Sequence, residues 1–327
     1  MPAFAPCELN GAAVWESAHA LIISDLHLSP QSPVALRAFY HLLAAHAPRY
    51  DSLLILGDLF EVYAGDDALQ HDACTAQVAQ QLSLAARHCR IAVMHGNRDF
   101  LIGSDFCAAA NVRLLADPCV LSAPANALAG AFENALFTQS EPLLLSHGDA
   151  WCVLDTAYQT KKLEIRSPQW QNQVLALPWA QRWALAHSYR EQSMAQRASA
   201  ATQSPAHLDR SLYDVVLSAF AASCALHGVK RGLHGHTHAP AHHAASGSTG
   251  ANGATGARSV LGDWQFDACA AHGENHALSL AAIVGAWQGG ALELLRYDGL
   301  DLHSAALSSL QASPALVSSP LVSSSSA

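Results

Sequence analysis

The sequence predicts an α/β protein in which sheets are covered by helices and some strands pair antiparallel. Two observations predict it. Short apolar runs alternate with helical stretches early in the chain and pair as hairpins later, and each run ends at a polar group. "ALIIS" (20–24) reads as a buried strand stopping at Ser24-Asp25. "ALRAFYHLLAAHA" (35–47) has helical spacing through Leu36, Phe39, Tyr40 and Leu43. "SLLIL" (52–56) is a second strand, ending at Gly57-Asp58, and a helical stretch follows over 68–88. "RIAVM" (90–94) is a third, ending at His95-Gly96-Asn97. "ALF" (135–137) and "PLLLS" (142–146) read as a hairpin, and "KRGLH" (230–234) as a further strand.

Bulk properties narrow the class. A chain of 327 residues can bury one large core or two. With 51% apolar and 13% charged residues it is globular in composition. A net charge of −9 argues against a general nucleic-acid binder, which carries a basic footprint. The eight cysteines are scattered with no CxxC pair, the pattern of reduced thiols in a cytosolic protein. The N-terminus has no basic start and carries Glu8 and Glu16, unlike a secretory signal. Nowhere do about twenty apolar residues run unbroken, so no membrane span is expected, while attachment to a membrane surface stays open.

The stretch 151–227 stands apart. It is helical in pattern and holds Trp151, Trp170, Trp179 and Trp183, four of the seven tryptophans. Over 151–213 it has seven basic and four acidic residues, a positive region in an acidic protein. Pro178 should break or restart a helix there. The expected organisation is a core formed by 20–150 and 228–300, a helical insertion over 151–227, and a Ser-rich tail from 304 to 327. Residues 241–258 read as a Gly/Ala/Ser connector.

The ends of the apolar runs carry the chemistry. "SDLHLS" offers Asp25 and His27, "LGDLFE" Asp58, "HGNRDF" Asn97 and Arg98, "SHGD" His147, and "HGHTH" His234, His236 and His238. Any one fragment is ordinary, since GD and GN are common turns. Five in succession, each after an apolar strand, mark the carboxyl edge of a sheet, where ligands bind in α/β folds. Alternation along an extended chain puts Asp25 with His27, and His234 with His236, on common faces. Oxygen and imidazole donors without cysteine suit a catalytic divalent ion such as Mn, Fe, Zn or Co. Asp58 is the best bridge, having two carboxylate oxygens for two ions. His242 and His243, past Ala239-Pro240, have no partner in this set.

The order D-x-H, GD, GN, H, GHxH resembles the calcineurin-like metallophosphoesterases, which implies a four-layer αββα sandwich with a helical insertion acting as a lid. Finer details, "LGDLFEVYAGDD", "HGNRDFLIGSDF", "SHGDAWCVLD", "LALPWAQR" and "VLGDW", resemble the branch of that family that cleaves the pyrophosphate of a lipid-linked UDP-sugar. The resemblance implies two divalent ions, manganese foremost. Asp25, His27, Asp58 and His236 would hold the first; Asp58, Asn97, His147 and His234 would hold the second. It leaves His238 a supporting role. Many relatives have a histidine after the asparagine; here Arg98 stands there and can stabilise charge but not donate a proton. Substrate contacts would come from Asn97, Arg98, Asp155, Ser193, Arg197 and His234, with Arg197 and Ala200 standing where an asparagine and a lysine are usual, and Ala239 where an arginine is. Val174, Leu175, Leu177, Trp179 and Trp183 are candidates for an acyl groove, although such spacing more often packs a core. The expected partners are a lipid-linked UDP-sugar and the cytoplasmic surface of an inner membrane, with neither nucleic acid nor a known protein partner. The rival readings are a metallophosphoesterase acting on nucleotides or another phosphodiester, and a non-enzymatic metal scaffold.

Overall fold

The apolar runs sort into two seven-stranded sheets in the computed structural model, which describes residues 7–9, 12–125, 127, 136, 141–203, 213–244, 256–264, 266 and 282–305. One sheet contains β3 (His19–Ile23), β4 (Ser52–Ile55), β5 (Arg90–Met94) and β6 (Arg113–Leu115), all parallel. It continues antiparallel from β3 through β12 (Ala282–Gln288), β13 (Ala291–Tyr297) and β14 (Leu302–Ser304). The other sheet runs β1 (Cys7–Leu9), β2 (Ala12–Glu16), β7 (Cys119–Ser122), β8 (Leu143–Ser146), β9 (Arg231–His234), β11 (Ala257–Val260), β10 (Ala241–His243).

Period-two alternation makes the layers. In β3, Ala20 and Ile22 face the other sheet, where they meet Leu121, Leu145 and Leu233 in one core. Leu21 and Ile23 face outward into a second core. That core is closed by α1 (Pro33–His41), α3 (Ala73–Ala85) and α4 (Ser104–Ala110) through Phe39, Val78, Leu82 and Phe106. On the far side, Val120 and Leu144 pack against Phe220 and Cys224 of α8 (Leu217–Leu226). Helix, sheet, sheet, helix is the expected order of layers.

Differences from the sequence reading have local causes. The helical stretch 68–88 is split into α2 (Ala68–His71) and α3, because the Asp72 carboxylate accepts from the amides of Cys74 (3.2 Å) and Thr75 (3.0 Å) and caps a new helix. The 35–47 helix keeps α-geometry only to His41, then widens and tightens before Pro48. Strand β8 pairs antiparallel with β7 and parallel with β9, while 135 and 137 of the expected hairpin lie outside the described residues. Both ends of the expected 241–258 connector are strand, β10 and the start of β11, which pair with each other; 245–255 lie outside the described residues, as does the tail from 306.

After the second sheet's His147, α5 (Thr156–Ile165), α6 (Pro168–Leu175) and α7 (Trp179–Gln203) follow in succession. Asp155 caps α5 and Ser167 caps α6, while Pro168 sits in the first turn of α6, where its missing N–H costs no bond. Pro178 separates α6 from α7.

Candidate metal centre and cavity

The carboxyl ends of β3, β4 and β5 from one sheet and of β8 and β9 from the other open on the same edge, and the motif residues follow them. The backbone there is not extended. Asp25 (φ 56°), His27 (50°), Asp58 (52°), His236 (65°) and His238 (53°) are left-handed, each at a cost of about 1–2 kcal/mol. Among the described residues the one other such side chain, Asn111, follows the last turn of α4, so the rest of this strain is concentrated on this edge. Gly96 and Gly235 are needed for closeness: a Cβ on Gly96 would lie 2.1 Å from Asp58 Oδ1, and one on Gly235 2.1 Å from Asp25 Oδ2.

Two donor clusters result. Asp25, His27 and His238 form one, and Asp25, Asp58 and His147 the other, with ligand atoms within 4.8 Å of one another in each. His27 Nε2 faces His238 Nε2 at 3.2 Å, and His238 Nε2 lies 3.4 Å from Asp25 Oδ1. Asn97 Oδ1 is approached by His147 Nε2 at 3.0 Å and His236 Nδ1 at 2.9 Å. Donors that share an ion through bonds of about 2.1 Å at right angles lie about 3 Å apart, so these separations fit a common cation. His147 Nδ1 donates to the Leu56 carbonyl (2.9 Å), which turns the Nε2 lone pair toward Asn97. Asp25 Oδ1 is buried without a hydrogen bond. The donor set therefore fits divalent metal ions.

Electrostatics agree. Burial opposes ionisation of Asp25, but His238, His147 and His27 outweigh it and hold its carboxyl well below the usual range. Burial dominates at Asp58 and raises its pKa. It also raises Asp99, with help from Asp58, to about 6. Burial would lower His238, yet Asp25 and Asp263 push it up to about 10. His147 is likewise raised against burial by Asp58 and Asp25. This field attracts any cation, proton or metal.

The structure places His234 outside the two donor clusters. Both of its ring nitrogens are engaged away from the cluster: Nδ1 donates to the Gly235 carbonyl (2.8 Å), and Nε2 accepts from Arg258 Nη1 (3.1 Å). Burial and then the Arg258 charge drop its pKa to about 3. A guanidinium on Nε2 leaves no lone pair for an ion. His238 instead stands beside Asp25 and His27, its Nδ1 bound to Asp263 Oδ2 at 3.0 Å. The reason is that β9 ends at His234, so alternation no longer applies to 236 and 238.

Arg98 donates its backbone N–H to Asp58 Oδ1 (2.9 Å) and places Nε 3.5 Å from Asp58 Oδ2. Asn97, Arg98 and His236 sit at one end of a cavity of about 500 Å³. Helices α5–α7 line the rest with Ile165, Trp170, Val174, Leu185, Ala186 and Tyr189, opposite Phe100 and Leu101. Asp155 and Ser193 also line it. Of the five candidate groove residues only Val174 reaches the cavity; Trp179 packs on the helix-covered core and stacks on Trp183, and Leu175 and Leu177 are exposed. Arg197 lies on α7, with its side chain outside the described part. His242 bonds Ser259 Oγ (3.0 Å), away from the cluster.

Several residues of the edge escaped the sequence reading. Buried Asp149, inside the quoted SHGD, takes Lys162 Nζ at 2.9 Å, Arg166 Nη2 at 3.5 Å and the Tyr158 hydroxyl, tying α5 to the metal edge. Arg166 also donates to the Gly96 carbonyl (2.8 Å), bracing the turn that presents Asn97. Asp263 lay in VLGDW and Glu61 in LGDLFE; the motifs flagged both, but only topology supplies their partners.

Fold and site together define a metal-dependent phosphoesterase. The chain matches the calcineurin-like phosphoesterase family over residues 18–240 and belongs to it. It is 41% identical over 247 residues to the UDP-2,3-diacylglucosamine hydrolase of Pseudomonas putida, 39% over 245 to that of Stutzerimonas stutzeri and 38% over 244 to that of Stenotrophomonas maltophilia. Each match covers 75% of this chain and 90% of the relative.

Proposed function

We propose that the protein hydrolyses the pyrophosphate bond of UDP-2,3-diacylglucosamine to UMP and 2,3-diacylglucosamine 1-phosphate, a step of lipid A synthesis. The observation that carries this reading is the cavity of about 500 Å³: it joins Asn97, Arg98 and His236 to an apolar lining suited to an acyl chain. The likeness to relatives bearing that hydrolase name, over most of their length, supports it.

Asp25, His27, Asp58 and His238 would hold one divalent ion, and Asp58, Asn97, His147 and His236 a second, with manganese the expected metal. Bound ions supply Lewis-acid charge stabilisation and make a water acidic enough to act as nucleophile at neutral pH. The chain does the rest. Asp263 fixes the His238 ring, and the Leu56 carbonyl fixes that of His147. The Arg98 guanidinium offsets charge on the phosphoryl oxygens. The leaving sugar phosphate is already stable as an anion, so no side-chain acid is required. Asp155, Ser193 and Arg197 are proposed sugar and phosphate contacts, while His236, facing the cavity, takes the substrate role first given to His234.

We place the enzyme on the cytoplasmic face of the inner membrane as a peripheral protein. Exposed Leu163, Leu175, Leu177 and Met194 lie on or beside the helices that line the cavity, with the half-exposed Lys161 among them. Among the described residues no helix is long and apolar enough to cross a membrane.

The test is product analysis with manganese, comparing UDP-2,3-diacylglucosamine with unacylated UDP-N-acetylglucosamine. UMP should form from the acylated substrate alone; equal cleavage of both contradicts a role for the apolar cavity.

A further inference from the structure

Glu61 lies at the mouth of the cavity, between the metal edge and α7, and carries none of the roles assigned above. Its Oε2 accepts from Arg98 Nη1 and stands 3.4 Å from His27 Nδ1. Its Oε1 accepts from Arg190 Nε at 2.5 Å. Arg98 follows β5 and Arg190 belongs to α7, so one carboxylate joins two guanidiniums from distant parts of the chain.

We propose that Glu61 is a positioning residue that holds Arg98 and Arg190 converged, as a preformed receptor for the two phosphates of the substrate. The proposal rests on the diphosphate reading of the site. Two guanidiniums side by side repel, and a shared carboxylate offsets that repulsion. Each arginine gives Glu61 only one nitrogen. Among the described residues the Nη groups of Arg190 carry no other bond, so its fork stays available for a phosphate oxygen. Arg98 has a second anchor in Asp58, through its own N–H and Nε, whereas Arg190 has Glu61 alone. Loss of Glu61 therefore frees Arg190 first. Arg190 sits on α7 and lines the acyl cavity, as does Arg182, whose Nη groups are already held by the Ala64 carbonyl and Asp67; Arg190 would therefore meet the sugar-side phosphate, and Arg98, next to Asn97, the phosphate under attack. A preordered pair spares the substrate the cost of ordering two long side chains on binding.

The test is a double-mutant cycle with Glu61→Ala and Arg190→Ala, together with Glu61→Gln, which keeps the shape and one acceptor oxygen. Expected are a rise in KM for the acylated UDP-sugar of at least tenfold in Glu61→Ala, with kcat changed less than threefold, and a smaller rise in Glu61→Gln. Glu61→Ala/Arg190→Ala should be no worse than Arg190→Ala, because the two act as one unit. A second readout needs no turnover: the arginine Nε–H resonance of Arg190, assigned by its loss in Arg190→Lys, should shift when inorganic pyrophosphate is added and disappear in Glu61→Ala. An unchanged KM in Glu61→Ala, losses that multiply in the double variant, or an Arg190 Nε–H signal indifferent to Glu61 would each overturn the proposal. If the wild type cleaves no acylated UDP-sugar, the substrate reading fails, and the resonance still decides whether Glu61 orders Arg190.

Discussion

Gly96→Ala is the substitution whose consequence the geometry fixes most closely. A Cβ there would lie 2.1 Å from Asp58 Oδ1 and 2.2 Å from Asp58 N, whereas ordinary contact begins at 3.4 Å. The neighbours are backbone and a buried carboxylate, so Asp58 must retreat by roughly 1 Å. Overpacking of this kind costs about 1–3 kcal/mol of stability. A 1 Å displacement of the Asp58 carboxylate should lower kcat by about 100-fold, far more than the stability loss implies. The assay is steady-state turnover of the acylated substrate, with thermal unfolding and metal content measured on the same samples. A folded Gly96→Ala protein with turnover within threefold of wild type would refute the reasoning, because Asp58 would then not need its observed position.

Other consequences follow from the same contacts. His238→Ala should lose one bound ion by metal analysis and at least a hundredfold in turnover, whereas His234→Gln should keep both ions; the reverse pattern would restore the sequence-based placement. Asp149→Asn should cost about 3 kcal/mol in denaturant unfolding, since it removes the buried charge partner of the partly buried Lys162. Burial opposes ionisation of Asp149, but His147, Lys162 and other cations outweigh it and hold the carboxyl below its unfolded value, so its contribution is present above the ordinary carboxylate pKa and fades as pH falls toward the folded value. The acid unfolding curve of Asp149→Asn below about pH 4 should therefore be flatter than wild type. Chelation should abolish turnover and lower the unfolding free energy by about 4 kcal/mol for each ion lost, relative to metal at a thousandfold excess over Kd, with manganese restoring both. Leu185→Trp should raise KM for long acyl chains more than for short ones, as measured across a chain-length series.

The strands and their polar ends were legible because buried strands are short, apolar and abruptly terminated, as in ALIIS-D and SLLIL-GD. Six of the seven sequence-assigned metal-ligand positions meet on one edge, and the seventh, His234, points elsewhere. Nothing in the spacing warned of this. The alternation argument assumes an extended chain, and β9 ends at His234 itself, beyond which His236 and His238 are left-handed. Asp25 and His27 are left-handed too, so they converge for a reason other than the one alternation supplies. The partner that decides His234, Arg258 on β11, depends on strand order, which periodicity does not encode. Helical spacing offered Val174, Trp179 and Trp183 either as groove or as packing residues: Val174 lines the cavity, Trp179 and Trp183 pack on the core or on each other, and Leu185, Ala186 and Tyr189 of the same helix as the tryptophans line the cavity.

The central claim is that water attacks the uridine-side phosphorus of a diacylated UDP-sugar at the Asp58 edge. Turnover of UDP-2,3-diacylglucosamine with manganese in ¹⁸O-labelled water, followed by mass spectrometry of both products, tests it directly. One labelled oxygen should appear in UMP and none in 2,3-diacylglucosamine 1-phosphate. Label in the sugar phosphate, or no cleavage by an enzyme shown to hold two ions, would contradict the account.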